Sequence, residues 1–272
     1  MWRNAFALFK STHPLPSLSV TSFAVLFGVS SGLSLDKLAL VGLAVLTQQF
    51  SVGLSNDWLD AARDKSVNRS DKPVAQGIVS VTLVRTASFV SGGISLAISL
   101  TIGTGSFLWM ILMLAVGWLY NLGLKSNAFS VIPYIVGFGM LPSFVTLSGQ
   151  EPSLTPVWVM TVAALFGVAA HFANVLPDLI EDKQNGVRAL PHLLGQRISS
   201  LVIAFSTTFA SILLVSQSKN LNLTIAVIGF GLTLALTLLS SFLALKAKPP
   251  KLVFYLLIVA TLVNVVMLML GT

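Results

Sequence analysis

Nine long apolar runs, separated by short polar segments, dominate this chain of 272 residues. They cover residues 16–35, 38–55, 79–101, 106–122, 128–148, 155–177, 198–216, 221–244 and 251–270. Each run is close to the roughly 20 apolar residues that a helix needs to cross the hydrocarbon core of a bilayer. The sequence therefore predicts an all-α polytopic membrane protein. We expect nine transmembrane helices in one bundle around a central chamber, forming a single domain over residues 1–272.

The composition excludes several classes of protein. Hydrophobic residues make up 55% of the chain and charged residues only 9%, against roughly 25% charged in a soluble globular domain. So apolar a chain is neither a soluble enzyme, nor disordered, nor a nucleic-acid-binding domain, and no nucleic acid partner is expected. Cysteine is absent, which excludes disulfides, thiolate metal sites and cysteine nucleophiles.

The positive charges predict an orientation in the membrane. If the N-terminus lies inside, fourteen of the sixteen Lys and Arg residues fall in inner segments, and only Lys37 and Lys219 fall outside. The positive-inside rule then places the N-terminus and the inner loops in the cytoplasm. An odd number of spans puts the C-terminus on the other side. We expect an integral protein of a bacterial plasma membrane, in contact with membrane lipids.

The acidic residues are concentrated in two inner segments, residues 56–77 and 178–197, which hold seven of the nine. The acids of each segment form part of a motif, in which an Asn is followed by an Asp four residues later and by a second Asp four residues after that. The motifs are Asn56, Asp60 and Asp64, and Asn174, Asp178 and Asp182. Four residues advance an α-helix by about 400°, so each set would share one helix face. Pro177 is expected to kink or end the second helix.

Aligned carboxylates repel one another unless they keep protons or hold cations, and ligands that are all oxygen favour hard cations such as Mg²⁺. The predicted metal ligands are Asn56, Asp57, Asp60, Asp64, Asn174, Asp178 and Asp182. Basic residues on the same side are the candidates for binding phosphate oxygens: Arg63, Arg69, Lys72, Lys125, Lys183 and Arg188. Acids at helix ends are often ordinary surface ion pairs, but two clusters with the same spacing favour a metal-bridged diphosphate site.

These motifs resemble those of the UbiA-type intramembrane prenyltransferase superfamily. The first has the N-D-x-x-D-x-x-x-D pattern of that family and the second its D-x-x-x-D pattern. The segment from Tyr120 to Lys125 is similar to the family's Tyr and Lys after the fourth span. Nine spans with acidic motifs after the second and sixth are also the family's architecture. Over most of its length the chain resembles an actinobacterial-type branch.

The resemblance implies an enzyme that transfers an isoprenyl chain from a prenyl diphosphate, held by Mg²⁺, to a lipid or aromatic acceptor that the sequence does not identify. The C1–O bond of the donor breaks, and the allylic cation alkylates the acceptor. Tyr120 and Lys125 are the expected catalytic residues. Where family members often carry Arg-Pro, this chain has Lys72-Pro73, and Lys lacks the bidentate geometry of Arg.

Two other functions are compatible with the sequence. A cation- or proton-coupled transporter would use buried acids, but transporters usually place them near the membrane midplane, and here they lie at the inner ends of spans. A phosphoribosyl or other lipid transferase on the same fold would share the Mg²⁺ and diphosphate chemistry. His171, one turn before Asn174, fits acceptor contact and polar packing equally well.

Overall fold

The computed structural model describes residues 2–67, 69–179, 182 and 186–271, with side chains from residue 4 onward. The described residues form eleven α-helices and two short 3-10 helices, Leu124–Ser126 and Leu176–Asp178. The α-helices are α1 Trp2–Lys10, α2 Pro14–Ser30, α3 Leu35–Leu59, α4 Ala61–Ser66, α5 Val81–Ile102, α6 Thr104–Leu122, α7 Ile132–Leu147, α8 Val157–Val175, α9 Leu190–Gln217, α10 Leu223–Ala244 and α11 Leu252–Gly271.

The all-α membrane fold is confirmed, whereas the count of nine crossings is not. Seven helices, α3, α5, α6 and α8–α11, are long and apolar enough to cross a membrane. The other two predicted spans are shorter apolar helices, Pro14–Ser30 and Ile132–Leu147. With 17 and 16 residues and a rise of 1.5 Å per residue, they are about 24–26 Å long, less than the roughly 30 Å hydrocarbon core.

The chain forms two compact units, each with its own packing. One contains the residues up to Val25 together with Ser34–Leu122, and the other contains Leu26–Leu33 and the residues from Gly123 onward. In the first unit α3 packs against α5 and α6. In the second, α8 packs against α7, α9 and α11, and α10 packs against α9 and α11. The first acidic motif lies in the first unit and the second motif in the second unit.

Small and hydroxyl-bearing residues hold α3 against α5. Ser88 Oγ donates to the carbonyl oxygen of Ser51 and Ser95 Oγ to that of Ala44, both at 2.8 Å. A methyl group at Gly92 would lie 3.0 Å from Ser51 Oγ. Such contacts are typical of membrane helices, where close backbone approach and interhelical hydrogen bonds replace the hydrophobic effect. They fix the helix that carries the first acidic motif.

The second motif begins where α8 ends. The helix stops at Val175, and a 3-10 turn, Leu176–Asp178, contains Pro177. The proline has no N–H to donate to the preceding turn, so the helix cannot continue unchanged. The predicted break at Pro177 is therefore confirmed, and Asp178 lies at the end of the turn.

Candidate functional site

The first acidic motif spans the junction of α3 and α4. Asp60 ends α3 and precedes α4 with φ −86° and ψ −6°. The Asp60 amide donates to the Asn56 carbonyl oxygen at 3.0 Å, and the Asp64 amide donates to the Asp60 carbonyl oxygen at 2.8 Å. Helical i to i+4 bonding thus runs through all three motif residues although the helix is interrupted at Asp60. We call Asn56, Asp60 and Asp64 the acidic ladder.

The two ladder carboxylates share one guanidinium. Arg63 Nη2 lies 2.9 Å from Asp60 Oδ2 and 3.7 Å from Asp64 Oδ1. Asp60 is 8% and Asp64 4% exposed, so neither charge is well hydrated. Burial raises the pKa of Asp64; the positive charge of Lys72 opposes this shift, and the neighbouring Asp60 charge adds to it. A cation bound at this place would relieve the cost of ionising Asp64.

The basic residues that follow the first motif are largely engaged with acids. Arg69 forms a bidentate pair with Asp71, from Nε to Oδ1 and from Nη2 to Oδ2, both at 2.9 Å. Lys72 Nζ donates to Asp57 Oδ1 at 2.5 Å and to Asn56 Oδ1 at 3.2 Å. The structure thus places Lys72 against Asp57, which were predicted for different tasks, phosphate and metal binding.

Two residues that sequence reasoning gave no site role complete this cluster. His13 Nε2 lies 2.8 Å from Asp57 Oδ1. Asn121, which follows Tyr120, accepts a hydrogen bond from Asn56 Nδ2 at 3.2 Å and donates to Ser55 Oγ at 2.7 Å. His13 is 44 residues from Asp57 and Asn121 is 65 from Asn56. No local spacing pattern reveals contacts at that separation.

In the second unit, the described part of the second motif is less enclosed. Asn174 is exposed, whereas Asp178 and Asp182 are half-buried. Asp182 Oδ2 lies 3.9 Å from His192 Nε2, and the Asp182 carbonyl accepts from the Val187 amide at 3.0 Å. The basic candidate Arg188 is exposed, while Lys183 lies outside the described residues.

His171 is fully buried in α8 and lies within hydrogen-bond distance of Ser130. Its Nε2 lies 2.9 Å from Ser130 Oγ, which also accepts from the Leu190 amide at 2.9 Å. The Tyr134 ring lies 4.9 Å from the imidazole, centroid to centroid. Because Ser130 Oγ accepts from an amide, its proton is available for His171. This contact fastens the start of α9 to α8.

The two catalytic candidates flank the end of α6. Tyr120 lies half-buried in the last turn of α6, in the first unit, and Lys125 lies half-buried in the 3-10 turn Leu124–Ser126, in the second unit. Among the described residues, no group of three or more His, Cys, Asp and Glu side chains is close enough to hold a metal ion alone. A cation here would therefore need Asn56 or phosphate oxygens in addition to Asp60 and Asp64.

Comparison with known proteins places the chain in a family. The model of the UbiA prenyltransferase family matches residues 17–265. The 33 kDa chain of bacteriochlorophyll synthase from Cereibacter sphaeroides is 26% identical over 66% of this chain and 62% of its own length. Homogentisate phytyltransferase from Synechocystis is 28% identical over 71% of this chain and 69% of its own length. The first match thus spans less than two thirds of that relative.

A solved structure shares the fold. A UbiA homologue from Archaeoglobus fulgidus, bound to DMAPP and Mg²⁺, superimposes with a TM-score of 0.74 over 97% of both chains at 18% identity. At that identity the likeness demonstrates the fold alone. The family match covers nearly the whole chain and confirms the resemblance predicted from the acidic motifs: this integral membrane protein belongs to the UbiA prenyltransferase family.

Proposed function

We propose that this protein is a Mg²⁺-dependent prenyltransferase that transfers an isoprenyl chain from a prenyl diphosphate to an acceptor inside the membrane. Family membership supports the reaction class, and the homologue with DMAPP and Mg²⁺ supports the donor class. The observation that carries the proposal is the acidic ladder, in which Asp60 and Asp64 lie buried side by side at the end of a long apolar helix.

The residues of the ladder fit a magnesium ion. Asn56, Asp60 and Asp64 offer only oxygen donors toward a cation, as Mg²⁺ prefers. Arg63 already bridges the two carboxylates, so this position is one where positive charge is stabilised. When bound, Mg²⁺ would neutralise the charge that develops on the departing diphosphate. Asn174, Asp178 and Asp182 of the second motif have the same proposed role as metal ligands.

The basic side chains would bind diphosphate oxygens. Arg63 and Arg69 follow the first motif, Arg188 follows the second, and Lys125 precedes α7. Each would stabilise negative charge as the C1–O bond breaks, which is where preorganised cations contribute most to rate. Tyr120 would contact the reacting end of the donor. Lys183 has the same proposed role from sequence alone, whereas Lys72 is paired with Asp57.

The apolar helices supply the rest of the chemistry. An allylic cation reacts with water unless water is kept away, and closed, apolar surroundings prevent that side reaction. The seven long apolar helices also suit a donor whose tail is itself a lipid. The acceptor would be a lipid or an aromatic compound that dissolves in the same membrane. The active-site loops and the N-terminus would face the cytoplasm of a bacterial cell, as the distribution of Lys and Arg predicts.

Product analysis tests this function. Membranes containing the protein are supplied with radiolabelled prenyl diphosphates of several lengths and Mg²⁺, and the lipids formed are extracted and identified. We expect a prenylated lipid to form only when both donor and Mg²⁺ are present. Label transfer from phosphoribosyl diphosphate instead would show the related lipid transferase. Cation flux in sealed vesicles without any lipid product would show a transporter.

A further inference from the structure

Four side chains at the end of α3 form one connected polar cluster, which we call the Asp57 cluster: His13, Asn56, Asp57 and Lys72. Asp57 Oδ1 accepts a hydrogen bond from Lys72 Nζ at 2.5 Å and lies 2.8 Å from His13 Nε2. Lys72 Nζ also lies 3.3 Å from His13 Nε2 and 3.2 Å from Asn56 Oδ1. The Asp57 side chain is only 1% exposed, against 14% for Lys72 and 36% for His13. Asp57 is thus the buried centre of the cluster.

Asp57 does not belong to the acidic ladder by geometry. It follows Asn56 by one residue, which turns its side chain by about 100° around the helix axis away from that of Asn56. One carboxylate oxygen is bound by two cationic or polar partners. The other, Oδ2, is buried and has no hydrogen-bond partner among the described residues. A carboxylate so enclosed by its own chain is poorly placed to bind a cation shared with a substrate.

His13 has an unusual backbone conformation, which is stabilised by the packing of its neighbour. Among the described non-glycine residues, His13 alone has a positive φ, 52°, a conformation that costs free energy and persists only where packing enforces it. The preceding residue supplies that packing: a Cβ at Gly53 would lie 2.6 Å from the Thr12 carbonyl oxygen. The α1–α2 connection therefore lies directly on the backbone of α3, one turn before Asp57.

The loop that carries Lys72 is also held by apolar packing against α1 and α3. Val74 and Val79 are buried and form one apolar cluster with Leu54 of α3 and Ala7 of α1. Amides of the loop close on its own carbonyls, from Gln76 to Lys72 at 3.1 Å and from Ile78 to Pro73 at 3.0 Å. Lys72 is thus presented to Asp57 by a loop that has its own backbone hydrogen bonds and apolar packing.

The Asp57 cluster reaches the ladder through Asn56. The Asn56 side chain lies between Lys72, on its oxygen, and Asn121, on its nitrogen. Asn121 in turn donates to the Val52 carbonyl at 2.8 Å. The amide of Asn56 is consequently held at both ends, and its orientation depends on Lys72 remaining beside Asp57.

We infer that His13, Asp57 and Lys72 are positioning residues that fix Asn56 and the end of α3, so that the acidic ladder is preformed for the metal and the donor diphosphate. This rests on the function proposed above. Asp57 acts as an internal counter-ion rather than as a metal ligand. Lys72 pairs with Asp57 rather than with the diphosphate, which is a task that suits the compact ammonium group of lysine.

A double-mutant cycle tests the pairing in purified, metal-free protein, with thermal unfolding as the readout. The variants are Asp57→Asn, Lys72→Met and the two combined, with Lys65→Met as a control that removes an exposed positive charge from the neighbouring α4. Breaking a buried pair leaves one charge without a partner, whereas removing both partners does not. We expect each single variant to melt at a lower temperature and the double variant to melt no lower than the worse single.

The same four variants are then titrated with inorganic pyrophosphate and Mg²⁺ by calorimetry. If Lys72 positions the ladder through Asp57, we expect each single variant to bind about 10–100-fold more weakly, as for residues that orient metal ligands. Lys72→Met should then have no further effect in the Asp57→Asn background. An equal loss of binding in both backgrounds, with unfolding unaffected by Lys72→Met, would overturn the inference and make Lys72 a diphosphate contact.

His13 is tested by conservative replacement. Gln can place an amide nitrogen near the position of the imidazole Nε2, whereas Leu cannot hydrogen-bond. We expect His13→Leu to weaken pyrophosphate binding and His13→Gln to restore most of it. If both variants bind as the wild type does, His13 has no positioning role.

If Lys72→Met does not fold but the double variant does, the pairing of Lys72 with Asp57 is supported. These measurements need no turnover, so they remain decisive even if no prenyl product is found.

Discussion

At the scale of the residue, the candidate site is defined by carboxylates that the fold buries before any cation is bound. Asp64 is 4% exposed, and its pKa is raised chiefly by that burial. Its ionised form is thus less favourable in the folded protein than in the unfolded chain. Such a group costs stability in the absence of ligand and gains it back when a cation binds. Functional carboxylates are often placed in this way.

Asp64→Asn is predicted to make the metal-free protein more stable and the enzyme inactive. The cost of Asp64 is absent below the pKa of the unfolded chain and grows as pH rises through the raised folded value. The variant should therefore gain melting temperature relative to wild type as pH rises through that window. We expect Mg²⁺ with pyrophosphate to stabilise the wild type only. A variant that is less stable than wild type at neutral pH would contradict this.

Lys125→Ala is predicted to lower turnover by about 10²–10³-fold, the usual cost of one lost contact to a developing anion. Insertion and folding should be unchanged, because the residue lies half-buried in a short turn. Excess Mg²⁺ should not restore the rate, and Lys125→Arg should not restore it fully, because the shape of the cation matters. Wild-type turnover in well-folded Lys125→Ala would make Lys125 a topology anchor.

At the scale of the element, the sequence predicted which segments are helices better than where they end. Helical α7 begins at Ile132 rather than near 128, because Asn127 Oδ1 accepts from the Phe129 amide and closes a turn there. The break at Pro177 follows from the chemistry of one residue, so it was predictable. The contact between His13 and Asp57 depends on how α1 and α3 pack, and periodicity carries no information about that.

Gly53→Ala is predicted to destabilise the first unit. The added methyl group would lie 2.6 Å from the carbonyl oxygen of Thr12 and 2.8 Å from its carbonyl carbon. Backbone atoms cannot move aside as a side chain would, so overpacking should cost about 1–3 kcal/mol. Gly93→Ala in α5 is the matched control, since nothing lies within 4 Å of its added methyl. Thermal unfolding in detergent compares the two. Equal melting temperatures would mean that the α1–α2 connection does not press on α3.

At the scale of the whole molecule, membership of the family and the all-α fold follow from the acidic motifs and the apolar runs, and both are confirmed. The number of crossings was less predictable, because an apolar run also includes residues that form the turns beside a helix. Which side of the membrane each end faces remains a prediction based on the distribution of positive charge.

The N-terminus is predicted to lie inside and the C-terminus outside. Reporter fusions at the two ends should indicate opposite sides, and termini on the same side would contradict the topology. The chain has no cysteine, so a single cysteine introduced at Ser34 or at Lys65 can be tested with a thiol reagent that does not cross the membrane of intact cells. We expect only the first to be reached from outside, which would show that α3 crosses the membrane. Together with a reporter that places the N-terminus inside, the same result would show that the short helix α2 crosses as well.

The proposed function is tested most directly by the Mg²⁺ dependence of donor consumption in the membranes used for product analysis, measured with labelled prenyl diphosphate. Wild type is compared with Asp60→Asn, Asp178→Asn and Asp36→Asn, the last being a control at the opposite end of α3, about 36 Å away along the helix. We predict Mg²⁺-dependent release of pyrophosphate by wild type and Asp36→Asn, and a loss of at least about 10²-fold in either motif variant. Release without Mg²⁺, or full activity in Asp60→Asn or Asp178→Asn, would contradict the proposed function.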